Sequence, residues 1–258
     1  CEIIRQWSTF HPEFAFLPRK FKIAVNGAEA DRAAIGVHDI GLNVVRNDAG
    51  DIGFRVLVGG GLGRTPIVGS QICEFLPWQH LLTYLDAILR VYNRYGRRDN
   101  KYKARIKILV KALTPEVFAE KVNAEWAHTK DGPATLTQQE LDRVAGHFSA
   151  PAYEQFSGDD ADYLAKREAE KGFNNWALRN VHAHKVPGYA AVTLSLKPTA
   201  VAPGDADDKQ LDAIADLADQ FSFGELRVTH QQNLVLADVR QSDLYELWQA
   251  CRKHGFAT

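Results

Sequence analysis

The stretch DIGLNVVRNDAGDIGFRVLVGGGLG, residues 39–63, decides how the first half of the chain folds. Two apolar runs, 41–46 and 53–58, flank Asn47-Asp48-Ala49-Gly50-Asp51. A turn of Asn, Asp and Gly between two such runs predicts an antiparallel β-hairpin. The second run leads directly into Gly59, Gly60, Gly61, Leu62 and Gly63. Three successive glycines mean that backbone passes close to another group or takes positive φ. A tight turn without a ligand and a cradle for one both satisfy that requirement. A dinucleotide fingerprint would open a helix after a parallel strand. Here the strand before it is antiparallel, Pro66 would interrupt a helix opening at these glycines, and Arg64 stands where a third motif glycine belongs.

Upstream lies FLPRKFKIAVNG, residues 16–27. Phe21, Ile23 and Val25 alternate with Lys20, Lys22 and Ala24, which predicts a strand with both lysines on one face. Two like charges at that spacing repel each other, so an anion is expected opposite them. Downstream, residues 79–95 have apolar side chains at helical spacing and a stop at Gly96, a second helical run begins near Lys103, and Thr114-Pro115 reads as the cap and first turn of another helix.

The chain has 258 residues, 45% hydrophobic and 24% charged, enough for one large domain or two smaller ones. No apolar run reaches the roughly 18 residues of a spanning helix. The three cysteines, Cys1, Cys73 and Cys251, form no local ligand pair, which predicts no metal site and fits a reducing, cytoplasmic setting. The absence of methionine marks the chain as an expected piece of a longer protein. The formal charge of −1 hides an asymmetry: residues 1–111 carry 17 basic and 10 acidic side chains, and the remainder 14 and 22. Such a split fits anion handling in the first half or mutual neutralisation between the halves.

Residues 128–172 are polar, with several glycines and prolines, and are expected to form a connector with short helices between units at 1–127 and 173–258. In the last unit YAAVTLSLKP reads as a strand, DKQLDAIADLADQF as a helix with Leu211, Ile214, Leu217, Ala218 and Phe221 inward, GELRVTHQQNLVLADV as two strands about a turn at 230–233, and DLYELWQACRKHG as a closing helix. That order is a split βαβ, ferredoxin-like half-domain. The predicted fold class is α+β, a mixed-sheet half-domain followed by this second one. Arg227, Thr229, Gln232 and Asn233 cluster at the second unit's turn, where polar groups need partners. His38, His182 and His184 lack ligand spacing and read as structural. The run 90–111 holds nine cations and one acid with tyrosines between them, so a nucleic-acid-binding module is the alternative reading, beside a solvated helix face or the docking of an acidic partner.

The segments LPRKFKIAVNG, HDIGL, GFRVLVGGGLGR, NRYGRRDNKYKARIKILV and GELRVTHQQNLVL, in this order, resemble the sirohaem-dependent sulfite and nitrite reductases. The resemblance implies six-electron reduction of sulfite to sulfide or nitrite to ammonia, at a sirohaem joined through a cysteine thiolate to a 4Fe–4S cluster. It implies that Lys20 and Lys22 hold the substrate oxyanion. It assigns Arg19, Asn26, Gly59, Gly60, Gly61, Arg227, Thr229, Gln232 and Asn233 to the cofactor, and a ferredoxin or flavoprotein as electron donor, with no nucleic-acid or membrane partner. The family's cluster cysteines, in C-x5-C and C-x3-C pairs, and the arginines of its N-terminal half-domain are not matched here. This chain alone is therefore expected to be inactive and to bind neither cofactor.

Overall fold

The hairpin predicted from residues 39–63 organises the first of two units. The computed structural model describes residues 1–257, and its chain divides into compact units between Ser149 and Ala150. The first contains α1 (Glu2–Ser8), β1 (Ile23–Asn26), β2 (Ile40–Arg46), β3 (Ile52–Val58), β4 (Ser70–Pro77), α2 (Leu81–Tyr95), α3 (Ile106–Leu113), α4 (Pro115–Thr129) and α5 (Gln138–Ala145). Its sheet runs in the order β1-β2-β3-β4. β1 lies parallel to β2, and the β2/β3 and β3/β4 pairs are antiparallel, so the sheet is mixed. The hairpin register places Ile40 opposite Val58 and Leu42 opposite Val56, all four fully buried. In the turn, Asn47 and Asp51 bond each other through main and side chains, and Gly50 has φ +85°.

α2 is buried from Leu81 to Leu89, polar Thr83 and Asp86 included, as expected of a helix covered on several faces. It ends at Gly96 as expected, but not by left-handed backbone. Gly96 is extended, and a Cβ there would lie 2.4 Å from the Tyr92 carbonyl oxygen and 2.7 Å from Pro18. Thr114 caps α4 with Pro115 at its first position, its hydroxyl accepting from the Val117 N–H.

The strand expected over the lysines is shorter than the alternation implied. β1 begins at Ile23, and Lys20 to Lys22 lie before it in extended coil. Ala24 and Asn26 are buried while Phe21, Ile23 and Val25 are only partly so. The reason is that the segment after β1 folds back over the Ala24 and Asn26 face through a 3₁₀ turn at Ile35–Val37, covering a side the alternation left to solvent.

The second unit contains α6 (Ala161–Ala169), α7 (Lys171–Asn180), β5 (Val181–Ala183), β6 (Tyr189–Leu194), α8 (Asp208–Phe221), β7 (Leu226–Val228), β8 (Leu234–Arg240) and α9 (Leu244–His254). The sheet order is β5-β6-β8-β7, with every neighbouring pair antiparallel. β6, α8 and β7 thus form a βαβ unit split by β8, the ferredoxin-like arrangement read from sequence. β5 and α7 add to that reading. Leu211 is half exposed rather than inward, its place on α8 taken by buried Ala213. The expected connector 128–172 is divided between the units: Leu136 and Val144 are buried in the first and Tyr163 in the second. Its short helices pack by one or two apolar residues each, too few to stand out against a polar background.

α8 opens with a capping box in which the Asp207 side chain accepts from the Gln210 N–H and the Gln210 side chain accepts from the Asp207 N–H. Asp207→Ala is expected to destabilise the second unit by about 1 kcal/mol, measured as a lower urea midpoint for that unit's unfolding with the first unit's transition unchanged.

Candidate anion-binding site

Lys22 precedes β1, and its main chain is held at both ends. Its N–H donates to Asp39 Oδ2 at 3.0 Å, and its carbonyl accepts from the Ile40 N–H at 3.1 Å. Asp39 is fully buried. The Arg105 guanidinium grips the same carboxylate through Nε at 2.9 Å and Nη2 at 2.7 and 2.8 Å. The Asp39 carbonyl also accepts from the Gly59 N–H at 3.0 Å. One aspartate therefore joins the lysine segment, the glycine turn and the start of α3. Beside it, burial, with a smaller contribution from the Asp39 charge, pushes the Tyr92 phenol up to about 12, and that hydroxyl donates to the Ala104 carbonyl at 2.7 Å.

The glycines are explained by the protein's own packing. A Cβ at Gly60 would stand 2.4 Å from the Gly36 carbonyl oxygen and 2.6 Å from that of His38, and Gly59 has φ +87°. Lys107 is buried, and its ammonium donates to the carbonyls of Leu62 and Thr65 at 3.1 and 2.6 Å, drawing the loop after the glycines around itself. Neither Asp39 nor Lys107 stood out in the sequence as a functional residue. HDIGL and the basic run contain them, but nothing local says that they are buried.

The other candidates differ in how far they are engaged. Lys20 and Lys22 are exposed, and neither side chain forms an ion pair among the described residues. Arg19 donates to the Lys101 carbonyl at 2.8 Å. Asn26 is buried and donates to the Ala28 carbonyl and to Asn43 Oδ1. The basic run is not a free stripe. Arg90, Arg94, Arg97 and Arg105 pair with carboxylates, and Arg98 and Lys107 donate to main-chain carbonyls. Among the described residues that leaves Lys101, Lys103 and Lys111 to neutralise phosphates, few for binding driven by counterion release.

In the second unit the polar turn satisfies itself. The Thr229 hydroxyl accepts from the N–H groups of Gln231 and Asn233, Asn233 Oδ1 accepts from the Leu196 N–H and from Lys197, and exposed Gln232 takes φ +59°. Arg227 is exposed and bonds Glu225 at 2.7 Å. Behind it, buried Asp238 Oδ1 receives the Tyr153 hydroxyl at 2.6 Å and His184 Nε2 at 3.1 Å. His184 Nδ1 accepts from the Val186 N–H, so its Nε2 carries the proton toward Asp238. The hydrogen bond to Asp238 holds the Tyr153 phenol up to about 12. His38 and His182 each bond a neighbouring oxygen of their own unit.

Residues 1–130 match the family described as "Nitrite and sulphite reductase 4Fe-4S domain", and residues 182–254 match "Nitrite/Sulfite reductase ferredoxin-like half domain". The chain belongs to the nitrite and sulphite reductase family. It is 27% identical over 248 residues to sulfite reductase (ferredoxin) 1 of Mycolicibacterium paratuberculosis, covering 95% of this chain and 37% of that one. It is 28% identical over 236 residues to the assimilatory ferredoxin-dependent nitrite reductase of Haloferax mediterranei, covering 90% and 36%. The structure of the Mycobacterium tuberculosis NirA protein shares the fold, with a TM-score of 0.67 at 24% identity over 98% of this chain and 39% of that one. The chain thus spans a little over a third of the length of these relatives.

This member of the family carries three cysteines, far apart in its sequence. Of its cysteines only Cys1 and Cys73 fall in the matched domain, Cys1 exposed at the end of the chain and Cys73 half-buried in β4. Cys251 is buried in α9, where burial pushes its thiol up to about 12. Among the described residues no three His, Cys, Asp or Glu side chains are placed to hold a metal ion. No helix among them is long and apolar enough to cross a membrane.

Gly60→Ala is expected to destabilise the first unit by about 1–3 kcal/mol, because two carbonyls must move to admit the methyl group. Gly27→Ala, whose Cβ would meet only the Val44 side chain at 3.9 Å, is the milder control in the same urea titration. For Tyr153, the raised phenol contributes stability that is complete below its ordinary value of 10 and is lost as pH rises through about 12. Tyr153→Phe should flatten that part of the alkaline unfolding profile of the second unit.

Proposed function

We propose that the chain forms the substrate-anion part of a sirohaem-dependent reductase of sulfite or nitrite, with Lys20 and Lys22 holding the oxyanion. The observation that carries this reading is that both lysines are exposed without an ion-pair partner, in a unit where six of the nine cations of the basic run hold carboxylates or main-chain carbonyls. An ammonium group fixed beside the oxyanion stabilises the charge that develops on it, most strongly where water is excluded. Lysine can also release a proton as substrate oxygen leaves as water, which the permanently charged guanidinium of arginine cannot. Lys22 is the better placed of the two, since its peptide is held at both ends.

Sirohaem coupled to a 4Fe–4S cluster would pass the six electrons from the donor to the oxyanion. On this reading Arg19, Asn26, the main chain at Gly59, Gly60 and Gly61, and Arg227, Thr229, Gln232 and Asn233 face the cofactor. Gln232 is the most available of these, because its side chain is exposed, whereas Arg19 already bonds the Lys101 carbonyl, Arg227 bonds Glu225, and the others are bonded or packed within their unit. The cluster thiolates are assigned to a part of the longer enzyme, so the chain by itself is inactive. The electrons come from a ferredoxin or flavoprotein, in keeping with relatives named as ferredoxin- or NADPH-dependent.

Lys22→Ala in the complete reductase is expected to lower turnover by on the order of 100- to 1,000-fold while sirohaem content is unchanged. Lys22→Arg should restore only part of the loss. The measurement is sulfite- and nitrite-dependent oxidation of a reduced dye, and equal turnover at equal sirohaem content would remove Lys22 from the site.

A further inference from the structure

The Lys22 peptide makes one bond that the sheet does not require. The contact between the Ile40 N–H and the Lys22 carbonyl belongs to the start of the parallel β1/β2 pair. The Lys22 N–H, by contrast, ends on the side chain of Asp39, a fully buried carboxylate. A neutral acceptor would satisfy that N–H without the desolvation cost of an ion. The charge has a second use, since Arg105, the residue capping α3, clamps it with three short contacts. Two residues further on, Lys107 holds the loop after the glycines. The first turn of α3 therefore grips both the lysine segment and the glycine turn, and Asp39 is the joint between them. The outcome is a lysine with a restrained main chain and an unpaired side chain.

We propose that Asp39, locked by Arg105, is a positioning residue for oxyanion binding: it fixes the main chain of Lys22 against the Gly59 turn, so that the lysine side chain starts from a fixed point. This rests on the oxyanion-holding role proposed for Lys22. A preorganised charge loses much of its effect when its support shifts by about an ångström, a displacement that can cost roughly a hundredfold in rate.

The test is a double-mutant cycle in the complete reductase holoenzyme, with kcat and KM for sulfite and nitrite measured at equal sirohaem content for Asp39→Ala, Lys22→Ala and the double variant. Asp39→Ala is expected to lower kcat/KM by roughly 10- to 100-fold, and Asp39→Asn, which keeps an acceptor for the Lys22 N–H, by less. In the Lys22→Ala background Asp39→Ala should change kcat/KM by less than about threefold, because the group it positions is gone. If Lys22→Ala lowers activity but Asp39→Ala costs the same factor in both backgrounds, Asp39 is merely structural and the proposal falls while the reading of Lys22 stands. If Lys22→Ala has no effect, both fall. Should Asp39→Ala fail to fold, Arg105→Lys keeps the charge and loses the fork, and its cost must likewise vanish in the Lys22→Ala background for the proposal to hold.

Discussion

The pair of buried Asp39 and half-buried Arg105 is the constraint on which the arrangement of the lysine segment, the glycine turn and α3 depends. An ion pair out of water is poor evidence for stability, because desolvation offsets most of the attraction, whereas removing one partner alone is strongly destabilising. Its clearest effect is on specificity of arrangement. The Arg105 fork fits one orientation of the carboxylate, and that carboxylate accepts one particular N–H, the amide of Lys22. The main-chain oxygen of the same residue receives Gly59. Segments separated by up to 83 positions, from Lys22 to Arg105, are thereby held in one register.

The cations of this unit divide by the same logic. Four arginines of the basic run neutralise carboxylates, and two further cations hold main-chain oxygens. These six cations are therefore engaged within the fold. Lys20 and Lys22 differ from that group in having exposed, unpaired side chains. A count of charges treats all of them alike, whereas ligand binding depends on the few whose field is not already compensated.

The second unit shows a comparable economy around a different aspartate. Asp238 collects Tyr153 and His184 behind exposed Arg227, while the turn at Thr229 and Asn233 satisfies its own polar groups. The amides that looked costly in a hairpin are costly only without partners, and here the hairpin itself and Lys197 supply them.

Local chemistry in the sequence was enough for the hairpin at 41–58, the Thr114 cap, the helix at 208–221 and the split βαβ order, because turn residues and apolar periodicity act over a few positions. The motifs around Lys22, Gly59 and Arg227 were likewise legible as motifs, and together they pointed to the reductase family. Tertiary structure alone decided which residues those motifs lean on. It limited β1 to Ile23–Asn26, where it pairs with β2, packed the 3₁₀ turn at Ile35–Val37 near it, and turned Leu211 outward. It divided the polar stretch 128–172 between two cores. It also separated Arg105 and Lys107, which are internal supports, from Lys20 and Lys22, which are free. A positive charge looks the same in sequence whether its partner is solvent, a distant carboxylate or a loop carbonyl, and only the folded chain brings that partner within hydrogen-bond distance.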